Sequence, residues 1–218
     1  MIWLVSPSAS PVEKAPSVSI ASKTQAREQI FNVPNQLTAV RLALSVVLFV
    51  LLPLEFYLTG LVVFVIAAST DWVDGYYARK YGQVTTLGRI LDPFVDKVIV
   101  CGSFIYLAAV RPEASDGYGS GITAWMAVVV VGRELLVTAL RNFLEGEGAN
   151  FSAVLSGKLK MVLQCVAVGV SLFALTYRGM DRPEWLQTTL LVSVWAAVLL
   201  TIYSGLEYIR RAILLIRR

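Results

Sequence analysis

The sequence predicts an all-α fold: an integral membrane bundle of six transmembrane helices with a short N-terminal juxtamembrane helix. Three observations predict it. Hydrophobic residues make up 56% of the 218-residue chain and the mean hydropathy is +0.67, where soluble domains hold roughly 45–50% apolar residues. The apolar residues gather into runs long enough to cross a hydrocarbon core. The basic residues flank those runs, so a net charge of +4 points to an anionic lipid surface as partner and not to nucleic acid.

Residues 1–31 read as a tail outside the bundle, and residues 32–218 as the transmembrane domain. Met1–Val5 is apolar but far too short for a signal segment. The Ser-, Pro- and Ala-rich stretch from Ser6 to Lys23 reads as disordered. Thr24–Phe31 reads as the juxtamembrane helix, although its apolar face is weak. The spans then fall near Gln36–Pro53, Tyr57–Arg79, Leu87–Val110, Ile122–Leu144, Ser156–Tyr177 and Trp185–Ile209. An even number of spans places both termini on one side. That side carries Arg79, Lys80, Lys158, Lys160, Arg210 and Arg211 among others, while the opposite connections carry only Arg111, Arg178 and Arg182. Basic excess marks the cytoplasmic face, so both termini and the ends nearest them are expected there, in a cell inner membrane.

The chain has no histidine. Any metal site therefore rests on carboxylates, which favour hard ions such as Mg²⁺ or Mn²⁺. Cys101 and Cys165 lie inside apolar runs and read as small buried residues. The acidic residues are more informative. Asp71 and Asp74 stand three apart at the end of the second span, so they share a helix face. Gly88, Asp92 and Asp96 are spaced by four at the start of the third. A short connection makes the two helices antiparallel neighbours, and the four carboxylates are expected to converge near the cytoplasmic surface. Unneutralised, they would repel one another. Two divalent ions about 4 Å apart would suit them and would suit phosphoryl transfer.

Gly75, Ala78 and Gly88 are small residues at this junction. By themselves they would indicate close helix packing. Beside four acids and Arg79 they read better as a ligand slot, with Arg79 able to grip a diphosphate or simply to snorkel to the surface. Pro93 lacks an N–H and would bend the third helix near the acids.

The run from Asp71 to Asp96 resembles the signature of the CDP-alcohol phosphatidyltransferase family, D-x2-D-G-x2-A-R-x8-G-x3-D-x3-D. Asp71, Asp74, Gly75, Ala78, Arg79, Gly88, Asp92 and Asp96 match every fixed position. The resemblance implies six transmembrane helices, a homodimer, a cytoplasm-facing polar cavity, Mg²⁺ or Mn²⁺, and a CDP-linked donor. It implies metal binding by the four aspartates, with Asp96 also the general base. Gly75, Arg79 and Gly88 would contact the CMP part of the donor together with Asp74, and Ala78 would line its slot. Asn32–Arg41 and Gly132–Arg141, with Ser156–Lys160 after them, are similar to the branch of that family that makes phosphatidylglycerophosphate in bacteria. That branch implies CDP-diacylglycerol as donor and sn-glycerol 3-phosphate as acceptor. Within the family, inositol phosphate, serine and phosphatidylglycerol are the competing acceptors.

The acceptor side has its own physics. Arg133 and Arg141 stand eight residues apart on the fourth span, and Lys158 opens the fifth. Arg133 is deep enough to be costly without a partner, and its neighbour Glu134 is expected to point elsewhere on the helix. Two arginines and a lysine suit a bound phosphate. Lys160 reads as a surface anchor. Asn35, Thr38 and Arg41 are placed to reach the same cavity, although Asn35 is equally well explained as a helix cap. Without histidine, a Ser-His or Cys-His pairing is excluded, and direct displacement fits better than a covalent intermediate.

Overall fold

The computed structural model describes the backbone of residues 33–81, 86–110, 119–146, 155–178 and 180–216, and the side chains of 36–70, 94–110, 119–144, 157, 159–178 and 180–215. The described residues form six α-helices: α1 Val33–Leu51, α2 Tyr57–Tyr81, α3 Thr86–Ala109, α4 Ala124–Gly146, α5 Leu155–Leu175 and α6 Glu184–Ile216. The expected spans match these helices within a few residues, except that α6 runs about two turns past Ile209. The expected tail and juxtamembrane helix lie outside the described residues.

The helix breaks have local causes. Pro53 cannot continue α1, and the chain turns through Glu55, which holds a positive φ of 62°. The Leu52 carbonyl at this end accepts a hydrogen bond from the Tyr106 hydroxyl of α3, which satisfies a terminal group that no intrahelical donor reaches. Between α3 and α4, Gly121 takes φ 75°, and a Cβ there would sit 2.9 Å from Leu190 Cγ. Glycine alone combines that backbone conformation with that closeness. Glu184 in the first turn of α6 faces the positive end of the helix dipole.

The core is apolar and draws on every helix. Leu48, Phe64, Phe104, Val130, Leu172 and Val194 are each almost fully buried. α5 and α6 share the most extensive contact, where the buried Ala167, Ser171, Ala174, Ala197 and Ser204 let the backbones approach. A buried hydrogen bond from Gln164 Nε2 to Thr201 Oγ1, 2.9 Å, ties that pair together. Between α1 and α3, the Phe49 ring lies against Gly102, where a Cβ would come within 2.3 Å of Cζ.

The outside is also apolar. Val46, Val62, Ile105, Val128, Val162 and Val192, one from each helix in turn, are exposed with many similar neighbours. Water-soluble monomers rarely leave such large apolar patches uncovered. Among the described residues, α6 is the one helix long and apolar enough to cross a membrane by that measure alone. Shorter apolar helical stretches lie at Gln36–Leu51, Tyr57–Thr70 and Leu159–Leu175.

Candidate active site

The six helices alternate in direction, so the bundle has two chemically different ends. One end gathers the α1–α2, α3–α4 and α5–α6 connections and is stapled by arginines. Arg182 is buried and donates to the Gly119 carbonyl (3.2 and 3.3 Å), the Ala174 carbonyl (2.9 Å) and Gln187 Oε1 (3.0 Å). Arg178 donates to Glu55 Oε1 at 2.7 Å and to the Tyr57 hydroxyl at 3.0 Å. These arginines hold loops together. The other end holds the signature residues and a second set of buried charges.

Asp96 lies ten residues into α3, about 15 Å along the axis from Thr86. Its Oδ1 accepts a hydrogen bond from Arg41 Nη1 of α1 at 2.6 Å. The Arg41 side chain is 1% exposed and that of Asp96 24% exposed. A buried guanidinium thus fixes the orientation of a partly exposed carboxylate. Thr38, one turn before Arg41, is buried as well. Asp71, Asp74, Gly75, Ala78 and Arg79 stand on the last three turns of α2, and Gly88 and Asp92 on the first two of α3. Their side chains, with those of Asn35 and Lys158, lie outside the described residues.

Behind Asp96 is a cluster of cations from three helices. Arg133, 8% exposed in the middle of α4, donates from Nη1 to Glu134 Oε1 at 3.1 Å. Glu134 was expected to point elsewhere. Adjacent helical residues diverge at Cβ, but both side chains are long enough to bend back to each other. The same Oε1 also pairs with Lys160 Nζ of α5. Lys160 is therefore a buried member of the cluster and not the surface anchor its position suggests. Arg141, two turns beyond Arg133, donates from Nη2 to the Tyr208 hydroxyl at 3.2 Å. The Tyr208 ring lies under the Arg133 guanidinium, 5.4 Å from its centroid. Lys97, next to Asp96, interacts electrostatically with Arg141 and Asp96, and less strongly with Arg133.

Lys97, Arg133, Arg141 and Lys160 thus interact electrostatically, with Glu134 paired to Arg133 and Lys160, and with Asp96 acting on Lys97. Bringing four cations together under low dielectric is unfavourable unless anions compensate. Arg133 Nε and Arg141 Nε are buried without a hydrogen-bond partner among the described residues. Such a cluster has the charge and the N–H groups to bind a phosphomonoester.

Sequence reasoning missed four contributors. Tyr208 sits among the charges of the C-terminal segment, between Glu207 and Arg210, and carries none itself. Lys97 stands beside the more conspicuous Asp96. Lys160 and Glu134 carry signals that only tertiary packing joins. One glycine makes room for this arrangement: a Cβ at Gly205 would approach Arg133 Cγ to 3.1 Å.

The sequence pattern of the CDP-alcohol phosphatidyltransferase family matches residues 31–203. A Bacillus subtilis (strain 168) protein named CDP-diacylglycerol–glycerol-3-phosphate 3-phosphatidyltransferase is 35% identical over 195 residues, covering 82% of this chain and 94% of the relative. Proteins of the same name from Escherichia coli (strain K12) and Salmonella choleraesuis (strain SC-B67) are 32% identical, each covering 84% of this chain and 95% of the relative. The matched region contains every signature position, Arg41 and the α4–α5 cations. The chain belongs to the CDP-alcohol phosphatidyltransferase family.

Proposed function

We propose that this protein transfers the phosphatidyl group of CDP-diacylglycerol to sn-glycerol 3-phosphate, giving phosphatidylglycerophosphate and CMP. The observation that carries the acceptor assignment is the cluster of Lys97, Arg133, Arg141 and Lys160 beside Asp96. It supplies cationic N–H donors for a phosphate near the residue that would take up the acceptor proton. Relatives covering most of the chain carry this activity in their names.

Residues 32–218 form the catalytic domain in this reading, preceded by the tail 1–31. The six helices span the bilayer, supported by apolar side chains facing outward on each of them. The signature end lies in the cytoplasm, supported by the basic excess on the side of both termini. Family resemblance adds a homodimer. CDP-diacylglycerol enters from the bilayer with its acyl chains in lipid. Arg79, Gly75, Ala78 and Gly88 receive its CMP part along with Asp74. Asp71, Asp74, Asp92 and Asp96 would hold Mg²⁺ or Mn²⁺, two ions in number. All four are hard oxygen donors in a chain without histidine, which fits those metals. When bound, the ions supply charge neutralisation for the diphosphate.

Asp96 accepts the proton of the C1 hydroxyl of glycerol 3-phosphate. The oxygen forms a bond to the phosphorus bearing the diacylglycerol, the bond from that phosphorus to the CMP oxygen breaks, and CMP leaves with the electron pair. Arg41 orients Asp96. Arg133, Arg141 and Lys158 hold the acceptor phosphate, with Lys97 and Lys160 beside them. Asn35 and Thr38 would belong to the same site in this reading. Most of the acceleration comes from positioning and charge. The experiment is transfer by purified Asp96→Asn protein with both substrates supplied. A fall to background is expected, and transfer at the unsubstituted rate would remove Asp96 as the base.

A further inference from the structure

A carboxylate inside a phosphate pocket is at first sight out of place, because it repels the ligand. Glu134 is such a carboxylate. It is buried, and its Oε1 receives Arg133 Nη1 from its own helix and Lys160 Nζ from α5. Its backbone is also anchored, since the Glu134 carbonyl accepts the Thr138 hydroxyl at 2.7 Å. Arg133 is held from its other face by Tyr208 and along its stem by Gly205. Lys160 interacts electrostatically with Arg133 and Lys97, so without Glu134 these cations would separate. The described cluster of Lys97, Arg133, Arg141 and Lys160 has four positive charges, and Glu134 removes one of them.

We infer that Glu134 is a positioning residue for phosphoryl acceptance: it holds Arg133 and Lys160 in the one arrangement that aims the acceptor hydroxyl at the donor phosphorus. This rests on the reading of the cluster as the acceptor-phosphate site. The carboxylate gives up some anion affinity in exchange for orientation. A phosphate held by mobile cations would bind at least as well, but with its C1 hydroxyl out of line. Misplacement by about 1 Å can lower a rate a hundredfold.

The two effects have opposite signs, which makes the inference testable. Glu134→Gln is isosteric and removes the charge. The expected result is a kcat lowered about tenfold or more at saturation with both substrates. Inhibition by inorganic phosphate, competing with glycerol 3-phosphate, should stay as strong or become stronger. Lys160→Gln should also lower kcat, and the double variant should be no worse than the poorer single one, because both act through one unit. A wild-type kcat in Glu134→Gln would overturn the inference. So would a loss of kcat with an equal loss of phosphate inhibition, which would mean that the pocket had collapsed. Multiplying losses in the double variant would also overturn it. If the unsubstituted protein neither uses glycerol 3-phosphate nor is inhibited by phosphate, the acceptor reading itself fails. Melting temperatures in detergent show that each variant is folded, and Glu134→Asp, keeping the charge, should recover part of the rate.

Discussion

Tyr208 gives the sharpest quantitative expectation, because its hydroxyl and its ring serve different arginines. Tyr208→Phe removes the acceptor of Arg141 Nη2, a contact of 3.2 Å, and keeps the ring under Arg133. Hydrogen bonds from charged groups contribute about 1.5–3 kcal/mol. The length of this one argues for the lower end, or roughly tenfold in an equilibrium constant. Tyr208→Leu also removes the cation–π contact, 5.4 Å from Arg133 to the ring centroid. At a desolvated site that contact is worth about 2 kcal/mol more, another thirtyfold or so. Part of each loss will appear as lower stability, so these are ceilings. The assay is release of CMP from CDP-diacylglycerol in mixed micelles, with KM measured separately for both substrates. The KM for glycerol 3-phosphate should rise up to about tenfold in Tyr208→Phe and further in Tyr208→Leu, with little change for the lipid donor. Equal rises for both substrates, or none in Tyr208→Leu, would refute an acceptor pocket built on this tyrosine.

Other consequences follow from the same coordinates. Arg182→Met strips the Gly119 and Ala174 carbonyls of their buried donor and should lower stability by about 3 kcal/mol, read as a reduced melting temperature; the molecules that remain folded should keep their turnover. Gly102→Ala drives a Cβ into the Phe49 ring and should destabilise by about 1–3 kcal/mol, with Phe49→Leu recovering most of the loss in the double variant. Gly205→Val should displace the Arg133 stem, whose Cγ would lie 3.1 Å from the new Cβ, and reduce turnover with glycerol 3-phosphate more than it reduces thermal stability. Chelation with EDTA should abolish transfer, and Mg²⁺ or Mn²⁺ should restore it; full activity in the chelator would remove the metal assignment.

The helices were legible in the sequence because the apolar runs are long, and because Pro53 and the polar connections cut the runs where the helices end. The end of α6 was misjudged. Arg210 and Arg211 read as basic residues flanking the last span, but Arg211 forms an i,i+4 pair with Glu207 at 2.7 Å, and the helix continues. Asp96 and Arg133 stood out because a charge inside an apolar run demands an explanation. Tyr208 did not, since an uncharged aromatic beside Glu207 and Arg210 demands none. Lys160 shows a different limit. Two residues after Lys158 and near a helix start, it looked like an interfacial anchor, and only the close packing of α4, α5 and α6 turns it inward to Glu134. The Glu134–Arg133 contact was missed because helical geometry fixes the direction of Cβ and not the reach of a long side chain.

The central claim is that this bundle passes a phosphatidyl group to a small phosphorylated alcohol. Its most direct test gives purified protein, with Mg²⁺ and labelled CDP-diacylglycerol, a choice among glycerol 3-phosphate, inositol phosphate, serine and phosphatidylglycerol. Label should move into phosphatidylglycerophosphate, with CMP released in equal amount and only when glycerol 3-phosphate is present. Label moving to another acceptor while glycerol 3-phosphate stays inert would contradict the account.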